Sequence, residues 1–130
     1  MIVKKQSDHV ILTNPLCGEI REILCGSDNG PLNIAVVENI GKTTAHYHEG
    51  FEEIYFVLNG SLTLQLYDPK TGRVWDQTLG RQDEIERKYE LCVIPKGIHH
   101  KVIEASPQNV LCVVCTPPFD LADEHKSERL

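Results

Sequence analysis

The chain has 130 residues, the length of one domain, and its 41% hydrophobic content is enough for a core without disulfide staples. A formal charge of -6, a pI near 5.4 and no basic stripe argue against a nucleic-acid binder. With no apolar run of about 18 residues and no secretory-type start, the chain reads as a cytoplasmic protein without membrane partners.

In chain order, short β-branched and aromatic runs at 10–12, 20–24, 32–37, 43–48, 53–58, 61–67, 73–78, 90–94, 100–105 and 110–116 read as strands. Turn signals separate them: Asn14-Pro15, Asp28-Asn29-Gly30-Pro31, Asn59-Gly60, residues 68–72, Pro95-Lys96-Gly97 and Ser106-Pro107. This density of punctuation leaves little room for long helices and predicts a sandwich or barrel. Asn59-Gly60 is the favoured pair for a type I′ hairpin turn. Beyond it, Leu62, Leu64 and Leu66 alternate with Ser61, Thr63 and Gln65, so one face of that strand is buried. The polar face then meets either solvent or a polar barrel interior. Arg81, Arg87 and Lys88 are diluted by Asp83, Glu84 and Glu86 and read as a solvated loop or short helix. Near the C-terminus Asp120 is placed to cap a short helix containing Asp123 and Glu124, and residues 126–130 are expected to fray.

Five cysteines, an odd number, fit a reducing compartment better than a disulfide framework. Cys112 and Cys115 lie three apart on an apolar strand, which puts their sulfurs on opposite faces, and Cys92 sits in a similar apolar run. All three read as buried thiols. Cys17 and Cys25 flank an N-terminal strand, and a reducing environment argues against their pairing. The chain has no glycine-rich phosphate loop and no G-x-S-x-G nucleophile elbow. Lys96 and Arg73 read as surface residues sooner than as contacts for an anionic substrate.

The residues that carry chemistry are histidines and a glutamate. His46 and His48 are two apart, so on a strand both imidazoles point to one face and reach one ion together. Glu53 opens the next strand, and His100 follows the rigid turn at 95–97. Glu52 competes with Glu53, but strand parity favours Glu53, because Tyr55 and Val57 then share its inward face. His99 competes with His100 and points to the opposite face. His9 and His125, near the termini, carry no expected role. Three imidazoles and a carboxylate make a mixed N/O set that suits Mn, Fe, Co, Ni or Zn, without the thiolates of a structural zinc site.

Residues 41–60, GKTTAHYHEGFEEIYFVLNG, resemble the first motif of the cupin superfamily, with His46, His48, Glu53 and Gly60 at its core spacing. Residues 95–104, PKGIHHKVIE, resemble its second motif through Pro95, Gly97 and His100. The chain departs from the pattern at Gly41, one residue closer to the first histidine. It also departs at Tyr89, where the second motif begins with glycine, and at Glu104, where it ends with asparagine. None of these is a ligand position.

The resemblance implies an all-β fold, a double-stranded β-helix (jelly-roll) barrel with a short C-terminal helix. The single domain would span 1–130, with the barrel at roughly 30–118. It implies one divalent metal ion held by His46, His48, Glu53 and His100, and a homodimer paired through N-terminal strands. The tail VVCTPPFDLADEH is similar to the ends of small bacterial cupins grouped as mannose-6-phosphate-isomerase-like.

Four protein ligands leave open positions on an ion that prefers five or six, the arrangement of a catalytic or substrate-binding metal. The leading expectation is a Lewis-acid enzyme acting on a small oxygenated molecule, a sugar or sugar-acid isomerase, epimerase or lyase. Tyr55, Glu104 and His99 are the candidate bases. An Fe(II)-dependent dioxygenase and a non-catalytic metal-assisted binder or sensor are the alternatives. Protonation of imidazoles competes with the ion, so affinity is expected to fall below about pH 6.5.

Overall fold

The computed structural model describes residues 1–80 and 89–130. The charged cluster at 81–88 lies outside the described residues. Alternating inward and outward side chains build two antiparallel sheets that face each other across one core. The strands are β1 (Val10–Asn14), β2 (Gly18–Leu24), β3 (Asn33–Glu38), β4 (His46–Tyr47), β5 (Glu52–Asn59), β6 (Ser61–Tyr67), β7 (Val74–Gly80), β8 (Leu91–Ile94), β9 (His99–Ala105), β10 (Val110–Thr116) and β11 (His125–Lys126). One sheet runs β1-β2-β3-β10-β5-β8 and the other β11-β4-β9-β6-β7. Consecutive strands therefore often lie in different sheets, and the chain winds between the layers as a jelly roll does.

The inward residues of β5, β6 and β9 supply much of the core. Tyr55, Val57, Leu62, Leu64, Leu66 and Val102 pack with Val37, Leu79, Ile94 and Leu111 in one cluster. The two readings of the polar face of β6 are thereby separated. Its leucines point into the core, while Ser61, Thr63 and Gln65 point outward and half-exposed, with the Thr63 hydroxyl 2.9 Å from that of Thr78. No helix among the described residues is long and apolar enough to cross a membrane.

Four local expectations change. The Asn59-Gly60 turn is not type I′, which needs positive φ at both residues. Only Gly60 adopts it, at 75°, because Asn59 stays extended as the last residue of β5, opposite Val110. A Cβ at position 60 would collide with the Ser106 hydroxyl, so glycine is required twice over. The strand expected at 43–48 shrinks to His46–Tyr47, because Thr43 meets β9 irregularly. Its N–H donates to the Val102 carbonyl, and its side-chain oxygen accepts from the Val102 N–H. The C-terminal helix is a single 3-10 turn, Leu121–Asp123; Asp120 does cap it, accepting from the Ala122 N–H. The residues expected to fray begin instead with a strand: β11 pairs with β4, and the Ser127 N–H reaches the Ala45 carbonyl at 2.9 Å.

All five cysteines are free. Cys115 is buried and Cys112 half-buried, on opposite faces of β10. Tyr89, standing where the second motif begins with glycine, has a φ of 61°, the left-handed conformation that glycine adopts without strain.

Candidate metal centre

His46 on β4, His48 just after it, Glu53 on β5 and His100 on β9 meet inside the barrel, all buried, with one ligand atom from each within 4.8 Å of the others. Strand geometry brings them together. His46 lies directly opposite His100 across the β4–β9 pair, and Glu53 faces inward on β5 two residues before Tyr55. Glu52, its half-exposed neighbour, points out of the core. Pro95–Ile98 forms a turn in which Gly97 has a φ of 82°, and its N–H donates to the His48 carbonyl at 2.7 Å. That bond ties the turn before His100 to the backbone of the first histidine pair.

Each imidazole is locked from behind. Nδ1 of His46 donates to the Thr44 carbonyl at 2.8 Å, that of His48 to the Asp123 carbonyl at 2.8 Å, and that of His100 to the Ile98 carbonyl at 3.1 Å. A carbonyl only accepts, so Nδ1 carries the proton and Nε2 turns a lone pair inward. His48 Nε2 and His100 Nε2 stand 2.7 and 3.0 Å from Glu53 Oε1, yet none of the three atoms has a partner with hydrogen-bond geometry. Buried acceptors that crowd together without donors are costly. A cation among them removes the repulsion, and backbone locks of this kind are how ligating histidines are oriented. The residues present therefore fit a divalent ion.

The electrostatics agree. Burial, and then His100, pushes His46 down to about 4, so it stays neutral at physiological pH. Burial also acts to lower His48, but the Glu53 carboxylate outweighs it and raises the imidazole above its usual value. Burial would raise Glu53, and the neighbouring His100 and His48 instead hold it well below the carboxylate range. Without an ion, then, His48 takes up a proton more readily than a free imidazole does, and an ion competes with that proton.

A cavity of about 430 Å³ opens beside the centre, with His46, Glu53 and Tyr55 in its wall. Of the three candidate bases, only Tyr55 reaches it. Burial, and then Glu53, raises its phenol well above the ordinary value, so it is a donor and not a base. Glu104 is exposed. Plain alternation from His100 would turn it inward, but a bulge opposite Thr63 and Leu64 shifts the register and turns it out. His99 faces away from the cavity, stacked on Tyr47 at 4.2 Å with Nδ1 2.7 Å from the Ser127 hydroxyl. Lys96 and Arg73 are also absent from the cavity wall.

Sequence reasoning missed the C-terminal segment as part of the site. Besides the Asp123 carbonyl on His48, the Asp123 carboxylate accepts the N–H groups of Glu49 and Gly50 at 3.0 and 2.7 Å. Glu124 enters the cavity, its Oε1 3.9 Å from His46 Nε2, and both its oxygens are within 3.2 Å of the Asn14 amide nitrogen. Cys17 completes a second group with His46 and Glu124. That group is no independent metal site, because His46 has one free nitrogen and it already faces the first centre. Asn14 and Glu124 are 110 residues apart, and no spacing rule could have joined them.

No protein-family model matches the chain, and no curated protein sequence does. Solved structures do. A protein from Planctomyces limnophilus aligns with a TM-score of 0.69 at 20% identity, over 96% of each chain. A variant of Streptomyces Pac13, a protein described as a nucleoside dehydratase, aligns in its structure with uridine at 0.69 and 10% identity, over 98% of this chain and 92% of that one. A variant of Bacillus subtilis oxalate decarboxylase aligns at 0.71 and 16% identity, over 97% of this chain but only 33% of its own length. The fold is that of the cupins. In cupin terms, the histidine pair, the glutamate and the distant histidine expected from the two motifs are the four buried groups described above.

Proposed function

We propose that this cupin is a metal-dependent enzyme acting on a small oxygenated molecule, with one divalent ion held by His46, His48, Glu53 and His100. The observation that carries the reading is the set of three buried, unpartnered ligand atoms on His48, Glu53 and His100, whose histidines are each locked through Nδ1. When bound, the ion would supply Lewis-acid polarisation of a substrate oxygen. The protein's own groups do the rest. The apolar wall of Ile20, Val37, Leu111 and Phe119 excludes water around the ligand, and Tyr55, in the same wall as Glu53, offers a protonated hydroxyl as a donor to it.

Among the isomerase, epimerase and lyase chemistries that suit such a site, the similar structures favour a lyase, since one is a nucleoside dehydratase and another an oxalate decarboxylase. Cleavage or elimination next to a polarised oxygen needs no redox change at the ion. A homodimer belongs to the same proposal. β1 is the edge of its sheet and exposes Val10, Ile11 and Leu12, which a second copy would cover.

Elemental analysis of protein purified without chelators, beside His100→Ala, tests the centre. Zinc, manganese, nickel or cobalt near one per chain, lost in the variant, supports it. Iron in that position transfers the proposal to dioxygen chemistry. No metal even after reloading sinks it.

A further inference from the structure

Glu124 is a carboxylate set in the cavity wall with no lysine or arginine beside it among the described residues. Its side chain is 5% exposed, and its hydrogen-bond donor is the Asn14 amide, shared between both oxygens at 3.2 Å. Among the described residues, the basic atom beside it is His46 Nε2 at 3.9 Å, which carries a lone pair, since the proton of that ring is spent on the Thr44 carbonyl. Buried charges are normally paired, and an ionised carboxylate has about four acceptor sites, so Glu124 retains unused capacity facing the cavity. The surroundings do not compensate. Glu22 and Asp120 line the same cavity, and among the described residues no lysine or arginine does. These three carboxylates outweigh the single positive charge left when Glu53 meets a divalent ion.

We propose that Glu124 receives a hydrogen-bond donor of the ligand, so that the cavity takes uncharged or cationic small molecules bearing a hydroxyl or amino group and rejects carboxylates and phosphates. A polar group on the ligand's other end faces the metal centre; to that extent the proposal rests on the function proposed above, and it narrows the substrate by excluding the sugar acids. The Asn14 amide holds the carboxylate in place, and the apolar wall packs the ligand's carbon frame. Without such a donor, Glu124 keeps a poorly solvated charge, and that cost falls on any ligand that brings a second anion.

The test is calorimetric titration of zinc-loaded protein at pH 8 with three probes on one frame: cyclohexane-1,2-diol, 2-aminocyclohexanol and 2-hydroxycyclohexanecarboxylate. The diol and the amino alcohol should bind, and the hydroxy acid should bind at least about tenfold more weakly, the scale of a hydrogen bond to a charged group. Glu124→Gln should keep its zinc by elemental analysis and lose most of that discrimination. Equal or tighter binding of the hydroxy acid, binding of none of the three, or unchanged discrimination in Glu124→Gln overturns the proposal. Should Glu124→Gln fail to fold, Glu124→Asp keeps the charge but withdraws it by one methylene. It should still reject the acid while weakening the amino alcohol, and equal binding of all three by it counts against the proposal. Absence of zinc from the wild type instead removes the metal centre, and the same titration on metal-free protein still decides the part played by Glu124.

Discussion

Along three neighbouring strands the inward residues change character within two steps. β3 presents Asn33, Ala35 and Val37, β5 presents Glu53, Tyr55 and Val57, and β10 presents Cys115, Val113 and Leu111, in rungs that the strand pairing aligns. One end of the barrel is therefore polar and the other apolar, although the backbone is the same. The apolar end stabilises the fold through leucines such as Leu64, which is 0% exposed. The polar end buries a carboxylate and three imidazoles, which opposes folding until a cation is shared among them. The site is thus held by packing one or two rungs away, and locked from outside the barrel by backbone carbonyls.

The comparison breaks most visibly under paired substitutions. His100→Ala should lose most of the bound metal with the strand signal in circular dichroism intact. Leu64→Ala should do the opposite, keeping the metal at temperatures below its melting point while losing about 2–5 kcal/mol in urea unfolding. Metal retained by His100→Ala, or lost by a folded Leu64→Ala, would mean that the two ends are not separable. A smaller effect belongs to the outer lock. Asp123→Ala leaves the carbonyl that orients His48 but frees the loop at Glu49 and Gly50, and should weaken metal affinity by roughly 10–100-fold in competition titrations. Glu52→Ala, which alters a half-exposed residue next to Glu53, should leave metal content unchanged.

The pH dependence sharpens the polar end itself. His48 is raised above 6.5 in the metal-free protein, and a proton there must leave before the ion binds. Affinity should therefore begin to fall already above pH 6.5 as the pH drops. His46, pushed down to about 4, is neutral throughout and should add no further loss until the pH nears that value. Titrations from pH 8 to pH 5 measure this directly, and a flat affinity over that range would exclude His48 as a ligand. The smallest effect concerns assembly. Size-exclusion chromatography with light scattering should report a dimer, and Ile11→Lys on the exposed edge strand should shift it toward monomer without changing the metal content.

Much of this was legible in the linear chain. Alternation of period two exposes a buried face wherever one side of a strand packs, so most strands, the leucine face of β6 and the choice of Glu53 over Glu52 follow from local pattern. The candidate ligands obey spacing as well, because two residues on one strand share a face, and the turn at 95–97 delivers His100 to the same point. What depended on tertiary structure is whatever joins residues far apart or breaks the alternation. The bulge beside β6 turns Glu104 outward, and Tyr89 adopts the left-handed conformation where the motif has glycine. The C-terminal segment read as a short helix with a frayed end because its residues carry no periodic signal. Its order comes from pairing with β4 and from bonds to Asn14, Glu49 and Gly50, and only the closed barrel brings those partners within reach.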